Sequence, residues 1–316
     1  MQSFLFSINA TLPIFFVMAI GYLLRRGGVL NASFVDTLNT LNYKVMLPVM
    51  LFTDMAGADF FAVWDTRYVL FCCGATLLCF FAILAVGWLF FRGKSLLGEF
   101  VQGSFRSSAA VLGLAFVQNV YGTSTIAPLM ILGAVPLYNV LSVCVLTFTD
   151  PNNEGKADWK RILKALRGVV TNPIILGIAA GFAASLLRLD LPVIVDKTLN
   201  YFAIMATPTA LLALGGGFEG KKALSQLKPT IAASFIKLIA QGLVFIPLAV
   251  WMGFRDEKLL GILIMLCAPT TVSCFIMAKN MHHEAVLTSS VVVTTTFLSS
   301  VTLTGWLYVL RCFDYL

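Results

Sequence analysis

The chain has 316 residues, of which 59% are hydrophobic and only 12% are charged. A soluble domain carries roughly twice that charged fraction, so the composition excludes a soluble protein and leaves no room for a sizeable soluble domain. The formal net charge of +7 does not indicate nucleic-acid binding, because the basic residues are scattered over several polar segments. Apolar runs of about 20 residues, each long enough to cross a lipid bilayer, predict an all-α polytopic membrane protein.

Ten apolar runs follow one another along the chain, and we predict a membrane-spanning helix for each. The lysines and arginines between the runs lie mostly after the odd-numbered ones, which makes that side cytoplasmic by the positive-inside rule. Both termini are therefore expected to be extracytoplasmic, in a multi-pass protein of the cell (cytoplasmic or inner) membrane. The predicted spans are residues 3–24, 34–56, 67–91, 100–120, 125–149, 169–188, 193–217, 229–253, 258–278 and 285–310.

The first two predicted spans recur in the sixth and seventh at a constant offset of 160 residues. Matching positions include Thr11 and Thr171, Pro13 and Pro173, Gly21 and Gly181, Pro48 and Pro208, and Gly57 and Gly217. Five spans per half is an odd number, so the second half must cross the membrane in the opposite direction. We therefore predict two inverted repeats, residues 1–149 and 169–316, joined by a cytoplasmic loop of residues 150–168. This architecture is typical of secondary transporters.

Two basic residues of the first half lie deep within predicted spans. At 1.5 Å per residue, Lys44 lies about 15 Å into span 2 and Arg106 about 10 Å into span 4. Buried basic residues mark functional sites by default, although Arg106 could instead extend to the cytoplasmic face. Lys237, near the cytoplasmic end of span 8, is expected to extend in that way. No acidic residue lies deep in any predicted span, so the buried fixed charge is positive and favours an anionic substrate.

Several predicted spans also carry polar or small residues that are able to line a binding site. These are Asn39 in span 2, Ser107, Ser108 and Gly113 in span 4, and Tyr138 and Asn139 in span 5. Each could equally serve contacts between helices, where small and polar residues are also favoured.

Span 9 contains the clearest helix breaker inside a predicted span, Pro269, followed by Thr270 and Thr271. Proline removes a backbone donor and disfavours helical backbone at the residue before it. A broken helix exposes N–H groups and the positive end of a half-helix at membrane depth, where they can hold an anion. A simple kink is the alternative, since proline is common in membrane helices.

The remaining reactive side chains do not indicate an enzyme, a metal site or a cofactor. The seven cysteines lie mostly inside apolar runs, and their spacing matches neither a zinc site nor a disulfide framework. His282 and His283 lie between spans 9 and 10 and are expected in a solvated cytoplasmic loop. No nucleophile elbow, phosphate loop or dinucleotide fingerprint occurs.

The chain resembles the bacterial branch of the auxin efflux carrier family. The matching stretches are Leu38-Asn39, Leu47-Pro48, Tyr138-Asn139-Val140-Leu141, Thr171-Asn172-Pro173, residues 206–216, Ala268-Pro269-Thr270 and Ala278-Lys279. The resemblance implies ten helices in two inverted repeats, with helices 4 and 9 broken and crossing at the substrate site. It also implies an elevator-type carrier, usually a homodimer, whose bacterial relatives are associated with small carboxylates such as malate or malonate.

Carried over by position, the first crossover of the family falls on Ser107–Ala115 and the second on Pro269–Cys274. The tyrosine of the family falls on Tyr138. The chain departs from the family pattern at Ser108, where an asparagine is usual nearby, and at Ala115, where a proline is usual. Lys44 is outside the pattern, which suggests a role in the substrate preference of a subfamily.

We therefore predict a carrier for a small organic anion, with its substrate at the crossing of helices 4 and 9. The predicted binding residues are Asn39, Lys44, Arg106, Ser107, Ser108, Gly113, Tyr138, Asn139, Pro269, Thr270 and Thr271. Coupling to a proton, to sodium or to neither stays open. A cation-coupled symporter of the bile-acid type would need paired acidic and amide ligands at the crossing, and a ligand-binding membrane sensor would need an output domain. A membrane enzyme would need a nucleophile–base pair.

Overall fold

The computed structural model of the protein describes residues 2–57, 65–91, 94–109, 117, 120–121, 127–152 and 166–316. Within these ranges the regular structure is helical and contains no strand, which confirms the all-helical prediction. Five described helices are long and apolar enough to cross a membrane, and they coincide with predicted spans 3, 5, 7, 8 and 10. They are Thr66–Phe90, Pro128–Phe148, Val193–Gly216, Leu227–Trp251 and Val286–Cys312.

In the first half of the chain, predicted span 2 forms a continuous helix with a π-helical turn, Asn42–Met46, at its centre. The side chain of Asn31 accepts a hydrogen bond from the N–H of Phe34 and so caps the start of this helix. The helices of this half are α1 (Gln2–Arg26), α2 (Ala32–Leu41), α3 (Leu47–Ala56), α4 (Thr66–Phe90), α5 (Lys94–Phe105) and α6 (Ala127–Phe148).

In the second half, predicted span 8 likewise forms one helix, with a π-helical turn at Ile236–Ala240. The helices of this half are α7 (Pro173–Leu186), α8 (Val193–Gly216), α9 (Gly220–Ser225), α10 (Leu227–Phe235), α11 (Gln241–Trp251), α12 (Asp256–Cys267), α13 (Ser273–Asn280) and α14 (Val286–Cys312). Every residue from 259 to 270 is buried, so the second part of α12 lies at the centre of the structure.

Two close contacts between helices repeat at the same 160-residue offset as the sequence. Gly21 of α1 lies against the backbone of Leu212 in α8, and Gly181 of α7 lies against the backbone of Phe52 in α3. A Cβ atom at either glycine would collide with that backbone, so these approaches depend on the missing side chain. The two halves therefore use matched positions for matched contacts.

Two helices, α5 and α12, end inside the protein. The end of α12 is Cys267, residues 268–272 are not helical, and α13 begins at Ser273. Ala268 has extended backbone because the proline that follows it disfavours helical geometry. The helix α5 ends at Phe105 and is followed by non-helical residues 106–108 without a proline. Most of the rest of predicted span 4, residues 110–116 and 118–119, lies outside the described residues.

Candidate functional site

The non-helical segments after α5 and α12 make three hydrogen bonds, one with each other and two with the opposite helices. The N–H of Ser108 donates to the carbonyl oxygen of Pro269 at 2.9 Å. The hydroxyl of Thr270 donates to the carbonyl of Gly103 in α5 at 2.7 Å. The hydroxyl of Ser107 donates to the carbonyl of Ile264 in α12 at 3.0 Å. Each segment therefore supplies a donor to the last turn of the opposite helix.

Side chains from neighbouring helices satisfy further carbonyl groups at these two helix ends. The last turn of a helix has no intrahelical donors for its carbonyls, and in a buried setting this is costly. In α12 the hydroxyl of Tyr138 donates to Met265 at 2.8 Å, and the ammonium of Lys237 donates to Leu266. In α5 the amide of Gln241 donates to Ser104 at 2.6 Å.

The guanidinium of Arg106 occupies the bend directly after α5 and is only 3% exposed. One terminal nitrogen donates to the Asn139 side-chain oxygen at 2.9 Å and to the Ser273 hydroxyl at 2.8 Å. The other terminal nitrogen faces the sulfur of Met277, and Nε is buried without a partner in the described part of the chain. Across the same residues no carboxylate forms an ion pair with Arg106. A positively charged side chain is thus held in the interior without a counter-charge from the described residues.

The start of α13 adds further positive potential beside Arg106. No side chain caps this helix, and the N–H groups of Thr271, Val272 and Ser273 have no hydrogen-bond partner among the described residues. Helix N-termini carry a partial positive charge and bind anions through such free N–H groups. Arg106 and this helix end are joined by the Ser273 hydroxyl, so together they provide the chemistry of an anion site.

A small cavity of about 40 Å³ lies at the start of α13. It is lined by Ile14, Leu47, Met50, Ser108, Ala206, Thr207, Ala210, Pro269, Thr270, Thr271, Val272, Ser273 and Thr296. Its walls thus come from both non-helical segments and from α1, α3, α8 and α14. The hydroxyls of Thr271 and Ser273, 3.2 Å apart, lie at the edge nearest to Arg106.

A larger cavity of about 500 Å³ lies where α1 ends and α2 begins. Asn39 lines it, is 2% exposed, and has neither side-chain amide atom bonded within the described ranges. Three basic residues, Arg25, Arg26 and Lys279, and three acidic residues, Asp36, Glu219 and Glu284, line the cavity, so their formal charges balance. Phe275 of α13 also lines it, so this cavity approaches the small one along α13.

The structure brings together most of the side chains that the sequence selected, but it gives them different tasks. Arg106 and Asn139 contact each other, and Ser108, Pro269, Thr270 and Thr271 line the small cavity. Ser107 and Tyr138 are used to satisfy carbonyls of α12. Lys44 is exposed on the outside of the π-helical turn and does not join this group, and Asn39 lies in the larger cavity. Gly113 lies outside the described residues.

Two expectations about charged side chains near helix ends are wrong. Lys237 does not extend to the surface but is fully buried, because its ammonium is drawn to the carbonyl of Leu266. His283 is buried with its Nε2 3.0 Å from the carbonyl oxygen of Leu146, whereas His282 is exposed as expected. Arg106 is likewise buried, which decides against its extension to the surface.

The predicted binding residues include none of Ser273, Lys237 and Gln241, which form parts of the two helix ends, although Ser273 lies within the second crossover. Ser273 follows Pro269 by four residues, and a search for hydroxyls just after the breaker would have found it. Lys237 and Gln241 lie one helical turn apart in an apolar segment. That spacing places both on one face of the helix, which was the available signal that both face the interior.

Comparison with known proteins places the chain among membrane transporters. The sequence profile described as "Membrane transport protein" matches residues 6–307. A protein of Rhizobium meliloti (strain 1021) named "Putative malonate transporter" is 24% identical over 308 residues, which cover 95% of this chain and 94% of that relative. Because the profile covers nearly the whole chain, the protein is a membrane protein that belongs to this transporter family, the auxin efflux carrier family.

Proposed function

We propose that the protein is a secondary transporter that moves a small organic anion across the membrane, with the substrate carboxylate bound at Arg106 and the start of α13. The observation that carries this proposal is the buried guanidinium of Arg106, which has no carboxylate partner among the described residues. An unpaired buried charge is costly, and a bound anion would supply the missing partner. The free N–H groups at the start of α13 also favour a negatively charged ligand.

A carboxylate suits this site better than other anions of similar size. The guanidinium is planar, and its donors match the two oxygens of a carboxylate. The hydroxyls of Thr271 and Ser273 are beside it and can donate to further oxygens. The Rhizobium relative is named for malonate, so a short dicarboxylate is the first substrate to test.

The same proposal includes ten spans in two inverted repeats, residues 1–149 and 169–316. Support comes from the matched contacts of Gly21 and Gly181 and from the reciprocal hydroxyl bonds of Ser107 and Thr270. The crossing of α5 and α12 would then move with its substrate against the helices packed through Gly21 and Gly181, as in an elevator. The protein would act as a homodimer in the cytoplasmic membrane. The larger cavity at Asn39 would be the aqueous approach to the site from one side.

Binding and uptake by purified protein test this function. Malonate, malate, a monocarboxylate and a matched amine are titrated calorimetrically, and uptake of labelled substrate is followed in proteoliposomes. We expect Arg106→Gln to weaken carboxylate binding about 100-fold, since losing a buried charge pair costs about 2.7 kcal/mol. Lys44→Gln, which removes an exposed lysine, should leave affinity within about twofold.

The same variants have a second readout in the absence of substrate. Removing an unpaired buried charge should stabilise the empty protein by about 1 kcal/mol, so Arg106→Gln should melt roughly 2–4 °C higher than the parent. Loss of affinity together with gain of stability separates a binding role from damage to the fold. Unchanged carboxylate affinity in Arg106→Gln, or binding of amines alone, would contradict the proposal.

A further inference from the structure

Lys237 is a fully buried lysine that the substrate site described above does not use. It lies on the π-helical turn Ile236–Ala240, has no exposed surface, and donates through Nζ to the carbonyl oxygen of Leu266. Its ammonium forms no ion pair with a carboxylate in the described part of the chain. Burial of an ammonium without a counter-charge is costly, so its position requires a specific reason.

The oxygen that Lys237 contacts belongs to a helix end with concentrated negative potential. Leu266 is in the last turn of α12, directly before the break at 268–272. Its neighbours Ile264 and Met265 receive neutral donors, the hydroxyls of Ser107 and Tyr138 and, for Ile264, also the N–H of Ala268. A helix C-terminus carries about half a negative charge, and carbonyls at such broken ends coordinate sodium ions in secondary transporters.

Capping alone does not require a charge at this position. At the matching end of α5, the carbonyl of Ser104 is satisfied by the neutral amide of Gln241, one helical turn from Lys237. The same helix therefore presents a neutral donor to one helix end and an ammonium to the other. An ammonium is a compact point charge, comparable in this respect to a bound metal cation.

We propose that Lys237 is a built-in cation at the carbonyl end of α12, standing where a coupling metal ion would otherwise bind, so that substrate binding needs no sodium. This inference rests on the proposed transport of an anion, because it concerns the coupling of that process. Lys237 is a positioning residue: it holds the end of α12, and through the short segment 268–272 it fixes the start of α13 that faces the anion.

The test compares Lys237→Gln, which keeps a donor without the charge, with Lys237→Arg, which keeps the charge. Lys44→Gln is the control for loss of a lysine at an exposed site. The dissociation constant for malonate and the melting temperature of the ligand-free protein are measured in sodium chloride and in choline chloride at equal ionic strength.

We expect the parent, Lys44→Gln and Lys237→Arg to have the same dissociation constant in both salts within about twofold. Lys237→Gln should bind at least about tenfold more weakly in choline, and sodium should restore most of that loss by occupying the vacated carbonyl end. Sodium should also raise the melting temperature of ligand-free Lys237→Gln and leave that of the parent unchanged. Folding of this variant only in sodium would support the same conclusion.

Three results would overturn the inference: a parent protein that requires sodium, a Lys237→Gln variant that binds equally well in choline, and a variant that neither binds nor melts differently in the two salts. The melting measurement does not depend on the substrate. If no carboxylate binds to the parent, the proposed function fails, while the sodium response of ligand-free Lys237→Gln still decides whether Lys237 replaces a cation.

Discussion

The ends of α5 and α12 share their hydrogen-bond plan and differ in their charge. Each last turn receives a hydroxyl from the segment that follows the other helix, Thr270 for α5 and Ser107 for α12. A second donor comes from one helix, but it is the neutral Gln241 for α5 and the ammonium of Lys237 for α12. The shared part follows from the need of every buried helix end to satisfy its carbonyls. A neutral donor and a charged donor both meet this need, so the charge of the second donor can differ between the two helix ends.

This difference teaches how two helix ends with similar hydrogen bonds can present different groups to the same region. The segment after α5 contributes the cation Arg106, whereas the segment after α12 leads into the uncapped start of α13. One half supplies a positively charged side chain, and the other supplies backbone donors at the start of a helix. Two cationic side chains would lack the backbone donors, and two uncapped helix starts would lack the full charge, so either pair would lose one contribution to anion binding.

The largest loss of stability should come from substituting the two glycines at the matched helix contacts, Gly21 and Gly181. Gly21→Ala and Gly181→Ala should each lower the free energy of unfolding by about 2–3 kcal/mol, because the added methyl meets rigid backbone. Thermal unfolding of the purified variants in one detergent measures this. Gly74→Ala is the control, since a Cβ there meets open space. A large loss for only one of the two glycines would show that the halves are not equivalent.

A smaller effect should come from the two hydroxyls that cross between the helix ends. Ser107→Ala and Thr270→Ala each leave a buried carbonyl without its side-chain donor, so each should cost about 1–2 kcal/mol of stability. Thr198→Ala, whose exposed hydroxyl bonds only within its own helix, should cost far less. Equal losses at Ser107 and Thr270 would support the shared plan. A loss at one position alone would mean that the two ends are not held in the same way.

The smallest effect concerns the other end of α12, at the surface. The Lys258 ammonium lies 2.6 Å from the Asp65 carboxylate and holds the pKa of that carboxyl below its usual range. A lowered pKa in the folded state means that the pair stabilises the protein above about pH 4 and that this contribution is lost as the pH falls further. For such a partly exposed pair we expect about 0.5 kcal/mol.

Thermal unfolding between pH 7 and pH 3 measures this contribution. Asp65→Asn keeps an oxygen that can cap α4 at Tyr68 but removes the charge, so its stability should fall less steeply with acid than that of the parent. Identical acid profiles for the two proteins would show that the ion pair does not contribute.

Much of the fold and part of the site could be predicted from the residues. Pro269 marked the interruption after α12, and the 160-residue offset that relates Gly21 to Gly181 predicted two halves built on the same plan. The end of α5 after Phe105 was harder, since no proline lies there and the family resemblance alone indicated a break. Its cause is the set of bonds made by Ser107, Ser108 and Thr270, which are contacts between distant parts of the chain.

The sequence by itself determined the class of protein and its all-helical fold. Only the tertiary structure decided that Arg106 and Lys237 point inward while Lys44 is exposed. The physical reason is that these helices are apolar on every side, so their hydrophobic pattern does not show which face meets protein and which meets lipid. Neighbouring helices set that direction, and with it the difference between a charge at the surface and a charge in the interior.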